Sequence, residues 1–211
     1  MRTRSFRTKS SLVVGAVGIT SAVLGIVAPA TAHATDVKGC VIAEPASDTV
    51  CRGMDLNGAD MSGMDLSGAD FSDSNLSGAN LSGAIGFSAR FTGADLTGAN
   101  LQGSSFGRAD FHHARLSGAN LADAAVSNTV LDQADLTRAN LSNTDFSVSY
   151  LRDSDMSYAR FAGTKFFGAQ VCGANIYGTD PSGASNLDTS CTVSTGPIST
   201  PSPVPGNIFG S

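Results

Sequence analysis

The chain has no tryptophan and no Cys-x-x-Cys motif, and only 15% of its 211 residues are charged. Scarce aromatics leave no clustered groove on which a sugar could stack. Without the paired-cysteine motif, dithiol redox chemistry has no basis in the 4 cysteines. The longest apolar run, residues 12–28, is diluted by Gly15, Gly18, Thr20, Ser21 and Gly25, so it is short and weakly apolar for a membrane span. Two of the 3 histidines, His112 and His113, are adjacent, and no third metal ligand accompanies them. No metal or other cofactor is expected.

What is present is a lattice. A large apolar residue recurs every fifth position from Leu56 to Ile176, as in Leu76, Leu81, then Phe91, Leu96, Leu101, Phe106 and Phe111, and only Gly86 breaks the series. Two places earlier stands a small residue, mostly Ala (Ala79, Ala94, Ala99) and later Ser or Thr, with Met54 and Met64 the large exceptions. On an α-helix five residues advance the azimuth by about 140°, so the lattice would spiral round the cylinder instead of forming a stripe. Glycines such as Gly58, Gly63, Gly78, Gly83 and Gly98 oppose a helix too. A straight strand fails as well, because an odd step alternates faces. The chain must bend once per repeat.

If each bend is about a right angle, four repeats close one circuit and chemistry should recur at twenty. It does: Ala-Asn-Leu stands at Ala79-Asn80-Leu81, Ala99-Asn100-Leu101, Ala119-Asn120-Leu121 and Ala139-Asn140-Leu141. Such units resemble the pentapeptide-repeat family, whose pattern of Ala, Asp or Asn, Leu or Phe and two variable residues matches Ala94-Asp95-Leu96-Thr97-Gly98. The resemblance implies an all-β fold, a right-handed quadrilateral β-helix with the large residue and the small one inward and three residues outward. By that analogy the repeats make about six coils and a rod about 30 Å long at ~4.8 Å per coil.

Residues 1–34 read as a secretory signal peptide: Arg2, Arg4, Arg7 and Lys9, the apolar run, then Ala32-His33-Ala34 as cleavage site. No twin-arginine pair is present. Cleavage would leave no membrane span and would leave nine basic against eighteen acidic residues. The expected organisation is a signal peptide 1–34, an N-terminal cap 35–53, the β-helix 54–180, a C-terminal cap 181–191 and a Pro/Ser/Thr-rich flexible tail 192–211. Export and an even cysteine count suggest disulfides. If the rod implied by the resemblance keeps its ends about 30 Å apart, only Cys40 with Cys51 and Cys172 with Cys191 can meet, each pinning a cap.

Gly103-Ser104-Ser105-Phe106-Gly107 matches a Gly-x-Ser-x-Gly nucleophile pattern. That motif needs a strand, a sharp turn and a helix, whereas Phe106 here is a lattice residue, so catalysis is not expected. Asp55, Asp60, Asp65 and Asp70 recur at five, a spacing that points them out of four faces and not at one ion. The Asn80, Asn100, Asn120 and Asn140 column suggests a side-chain hydrogen-bond ladder. Around Gly86, the apolar neighbours Ile85 and Phe87 suggest a bulge that turns one of them inward, or else an exposed strip. Tyr150, Tyr158, Phe167 and Tyr177 in outward slots mark a possible partner or homodimer surface.

The expectation is a secreted, non-enzymatic structural or protein-binding solenoid, extracellular and possible to find at the cell wall, with an unknown protein or envelope partner and no nucleic acid. The family resemblance implies an alternative, a DNA-mimic that binds DNA gyrase, which an export signal disfavours. N-terminal sequencing of the mature protein should begin at Thr35; recovery of the chain with residues 1–34 attached would contradict the assignment.

Overall fold

A computed structural model describes residues 35–43 and 46–188, all within one compact unit. The expected signal peptide and Pro/Ser/Thr-rich tail lie outside these residues.

From Val50 onward the chain makes one circuit every twenty residues. Isolated parallel bridges tie Asp55 to Asn75, Asn75 to Asp95, Asn80 to Asn100 and so on to Lys165 with Ser185, always at that separation. Each pentapeptide contributes one short strand position and one turn. In the turn at Leu56, the Ala59 N–H donates to the Leu56 carbonyl at 2.9 Å, and Gly58 between them has φ +63°. Positive φ at the third turn residue is what type II turns require. The same left-handed position recurs throughout, held by Gly78, Gly98 and Gly118 but also by Asp73, Asn128 and Arg138.

Backbone accounting explains the residue before each lattice position. Of the five N–H groups in a repeat, four find carbonyls: Leu56 donates to Asn75, Gly58 to Ser77, Ala59 to Leu56, and Asn75 back to Met54. The fifth, one residue past the lattice position, takes a side-chain acceptor wherever Asp or Asn stands before the lattice residue. Ser62 donates to Asp60, Ser82 to Asn80, Thr97 to Asp95, Gln102 to Asn100 and Ser142 to Asn140, at 3.0–3.3 Å. Asp or Asn therefore completes the turn, and a backbone N–H left unpaired would cost about 1–3 kcal/mol where it is buried.

The interior is a column of lattice side chains. Leu56, Leu76, Leu96, Leu116 and Leu136 are wholly buried, as are Phe71 and Phe91. Phe71, Phe91 and Phe111 stack in sequence with ring centroids 5.3 and 4.8 Å apart. Small residues two places earlier fill the remaining space, and where Ser or Thr replaces Ala the hydroxyl finds a lattice carbonyl: Ser74 donates to Phe71, Thr129 to Val126 and Thr164 to Leu141, at 2.6–2.7 Å. Met54 and Met64 are only partly buried against the core, and Met54 lies against Gly39 of the N-terminal hairpin.

That hairpin, β1 (Thr35–Val37) and β2 (Cys40–Ile42), turns through Lys38 and Gly39, both at positive φ, and buries Val37, Cys40 and Ile42 over the first coil. The Cys40–Cys51 disulfide ties it to the rod. At the other end Cys172 is disulfide-bonded, while its expected partner Cys191 lies outside the described residues.

The expected bulge at Gly86 is absent. Ile85 pairs in regular register with Ser105, Gly86 donates to the Ser105 carbonyl at 2.8 Å, and both Ile85 and Phe87 are 48% exposed. The core compensates from the next coil: a Cβ on Gly86 would stand 2.2 Å from the Phe106 ring. Phe106 leans into that space and meets Phe91 and Phe111 edge-on at 5.4 and 5.7 Å. Gly86→Ala should therefore destabilise the rod by about 1–3 kcal/mol through overpacking, and Phe106→Ala by about 3–5 kcal/mol through the cavity. In urea unfolding, Gly86→Leu combined with Phe106→Ala should recover part of the loss; strictly additive losses would show that the two sites do not share space.

Candidate functional site

Most polar outward positions are consumed by the fold. Asn80 donates through Nδ2 to Asp60 at 3.1 Å, Asn100 to Asn80 at 3.3 Å, Asn120 to Asn100 at 3.2 Å and Asn140 to Asn120 at 3.0 Å. The ladder expected from the sequence is formed, and each amide oxygen in it also serves its own turn. Asp55, Asp60, Asp65 and Asp70 each accept from the N–H two residues on. The Ser62 hydroxyl and amide hold Asp60 below the usual carboxylate range, and Ser67 does the same for Asp65. At Asp70 burial works against ionisation, but Ser72 and the charges of Arg52 and Arg90 outweigh it.

Ser105, centre of the Gly-x-Ser-x-Gly match, sits mid-strand between Ile85 and Ala125, exposed and in regular register. It occupies no strand-to-helix elbow. His112 and His113 lie side by side in one turn, ring centroids 4.0 Å apart, and the His112 N–H donates to Asp110. Among the described residues no group of three His, Cys, Asp or Glu side chains is placed to hold a metal ion.

Open clefts among the described residues include the following pair. One, about 270 Å³, is lined by Arg52, Asp70, Asp73, Arg90 and Asp110; Arg52 approaches Asp70 and Asp73 only to 3.9 Å, a solvated charge mosaic. The other, about 370 Å³, runs beside Tyr158, Arg160, Phe161, Asp180 and Ser182 near the C-terminal end.

The aromatic candidates separate into two groups. Tyr158 and Tyr177 meet edge to face at 5.5 Å, with the Arg138 guanidinium 5.9 Å from the Tyr158 ring. Phe167 is 67% exposed and pairs across coils with Val148, whose N–H donates to the Phe167 carbonyl. Phe167 and Tyr177 are ten residues apart, half a circuit, so the two pairs stand on opposite corners of the tube. Tyr150 faces Arg152, its ring 5.5 Å from the guanidinium. Val148 is a further apolar residue in an outward slot, 52% exposed. It has φ +61°, a left-handed conformation that a β-branched residue rarely adopts and that costs about 1–2 kcal/mol.

Twenty residues per circuit, left-handed turns at every corner and a filled core define a four-sided β-helical solenoid. The pentapeptide-repeat pattern matches the chain in 8 copies, over residues 47–84, 89–124, 114–153 and 129–166, and the chain belongs to the pentapeptide-repeat family, whose fold is the right-handed quadrilateral β-helix. Among solved structures, HetL, a pentapeptide repeat protein involved in heterocyst differentiation regulation from the cyanobacterium Nostoc sp. strain PCC 7120, is 27% identical, with 64% of this chain and 73% of that chain covered and a TM-score of 0.42. QnrB1, a plasmid-mediated fluoroquinolone resistance protein, is 22% identical, with 64% and 71% covered and a TM-score of 0.44. A pentapeptide repeat protein from the Arabidopsis thaliana thylakoid lumen is 30% identical over 56% of this chain and 69% of that chain, at a TM-score of 0.25. No curated protein sequence matches the chain.

Because Asp60, Asp65 and Asp70 are held below their unfolded values of about 3.9, their contribution is fully present above that pH and is lost as pH falls through the lowered folded values. The urea midpoint should be flat from pH 7 to about 5 and drop below about 4. Asp65→Asn should flatten the drop, and an unchanged acid limb would show that this carboxylate does not support its turn.

Proposed function

We propose that this protein is an exported, non-enzymatic solenoid that acts outside the cytoplasm as a structural or protein-binding module. The observation carrying this reading is the presence of apolar pairs on two opposite corners, Val148 with Phe167 and Tyr158 with Tyr177, all 40–67% exposed on a rod whose other turns are mostly polar. Isolated exposed apolar residues are ordinary. Paired ones at turn positions, two of them at left-handed residues where glycine would relieve strain, favour a surface kept for contact. The basic, apolar and small-residue order of the first 34 residues supports export, and the Cys40–Cys51 disulfide suits an oxidising compartment. A structural or binding role requires no cofactor.

The alternative of DNA mimicry draws on net acidity. Here much of that acidity has a cause in the fold, since Asp at the position before the lattice residue completes the turn, and Arg90, Arg115, Arg138 and Arg160 occupy outward slots among them. Gyrase also remains inside the cell, where an exported chain does not meet it. Immobilised mature protein should capture a partner from the medium or envelope, and Tyr158→Ser with Tyr177→Ser should abolish capture without moving the thermal midpoint. Residence in the cytosol together with inhibition of gyrase supercoiling would overturn the reading.

A further inference from the structure

The side of the tube that carries the Gly86 anomaly has a pattern of its own. One turn column along it reads Ser67, Phe87, Gly107, Ser127, Ser147 and Phe167, one residue per coil. The two phenylalanines are 48% and 67% exposed and stand four coils apart, about 19 Å at ~4.8 Å per coil. Between them every residue of the column is small. The mid-strand column beside it is small in the same interval, with Ser105 and Ala125 between Ile85 and Asp145. The Phe87 ring lies over Gly107, where a Cβ would be only 3.5 Å from it, and Arg108 sits 5.6 Å from the ring centroid. Val148 lies against Gly168 at the other end, in its strained left-handed conformation.

We infer that this side is a weak homodimer surface on which a second copy of the chain packs antiparallel, Phe87 of each copy against Phe167 of the other. This rests on the protein-binding reading and names the occupant of one corner. A twofold axis lying across the side at the coil of Val126 exchanges the Phe87 coil with the Phe167 coil and leaves Ser127 facing its own copy. Both ends then gain an aromatic pair, and the low centre lets the two flat sides approach. Charges agree with this register: Arg108 faces Val148, Lys165 faces Ile85 and Asp145 faces Ser105, so no charge meets its own sign. A parallel arrangement keeps every coil level with its own copy, so Phe87 would not meet Phe167, and with its axis on the strand column it would set Asp145 on Asp145 and Lys165 on Lys165; it is disfavoured for both reasons. The contact is one side of a narrow rod. With only about 19 Å of one side between the two phenylalanines, a contact smaller than the ~1,200 Å² of stable complexes is expected, with association only towards sub-millimolar concentration.

Sedimentation velocity of the mature protein over a concentration series tests this. The expected result is a monomer–dimer equilibrium that Phe87→Ser or Phe167→Ser each weakens at least ~10-fold. The twofold pairing predicts a non-additive double variant, because either single change already removes both ring pairs. Mixing the two single variants should restore one pair and raise dimer content above that of either alone. Val148→Asn, which copies Asn128 of the same column at φ +57°, should raise the thermal midpoint while weakening association, an opposition that a purely structural residue would not produce. A monomer at all concentrations, or losses that add in the double variant, overturns the proposal. Capture of a different partner at Tyr158 and Tyr177 would survive either result, which separates failure of this inference from failure of the functional reading.

Discussion

Everything in this molecule depends on the chain returning to the same place above itself after twenty residues. Four corners per circuit achieve that, and each needs a residue with positive φ, which is why glycine is so frequent at Gly58, Gly78, Gly98 and Gly118. Once the return is fixed, like stacks on like: Leu over Leu, Phe over Phe, and amide over amide. Stacking makes each coil the hydrogen-bonding partner of the next, so the two ends are where a strand edge is left without a neighbouring coil. A hairpin with a disulfide covers the first end.

The Asn80 to Asn140 ladder shows how this repetition becomes electrostatics. Its four amides donate in one direction, towards the N-terminal end, where the column finishes at the Asp60 carboxylate. At the other end the next residue in the column is Arg160. An anion at the donor end and a cation beyond the acceptor end have the same sense as charges that cap a helix dipole. The acidic surface is thus partly architectural. Asp and Asn are interchangeable at these positions because both supply the oxygen that the turn N–H needs.

Much of this was legible in the chain itself. Period five excluded helix and flat strand, recurrence at twenty gave the circuit, and the Asn column foretold the ladder. Of the two readings open at Gly86 the exposed strip holds and the bulge fails, because a missing side chain looks like a local problem along the chain, whereas the stack fills the space from the neighbouring coil through Phe106. Pattern reading along the chain does not register a ring leaning across coils. The four aromatics were legible as outward but not as grouped, since the pairs Val148 with Phe167 and Tyr158 with Tyr177 join residues nineteen apart on successive coils. Val148 carried no signal beyond being apolar; its left-handed φ follows from its place in the turn, and only the backbone reveals it.

The closure of one circuit in twenty residues is tested most directly by removing one. Deleting residues 111–130 joins Asp110 to Leu131, keeps the pentapeptide frame and leaves every core column in register. Thermal unfolding of that variant should remain cooperative, with a β-type circular dichroism spectrum, whereas deleting residues 112–129, two fewer, should abolish both by throwing the corners out of phase. Equal behaviour of the two deletions would contradict the account.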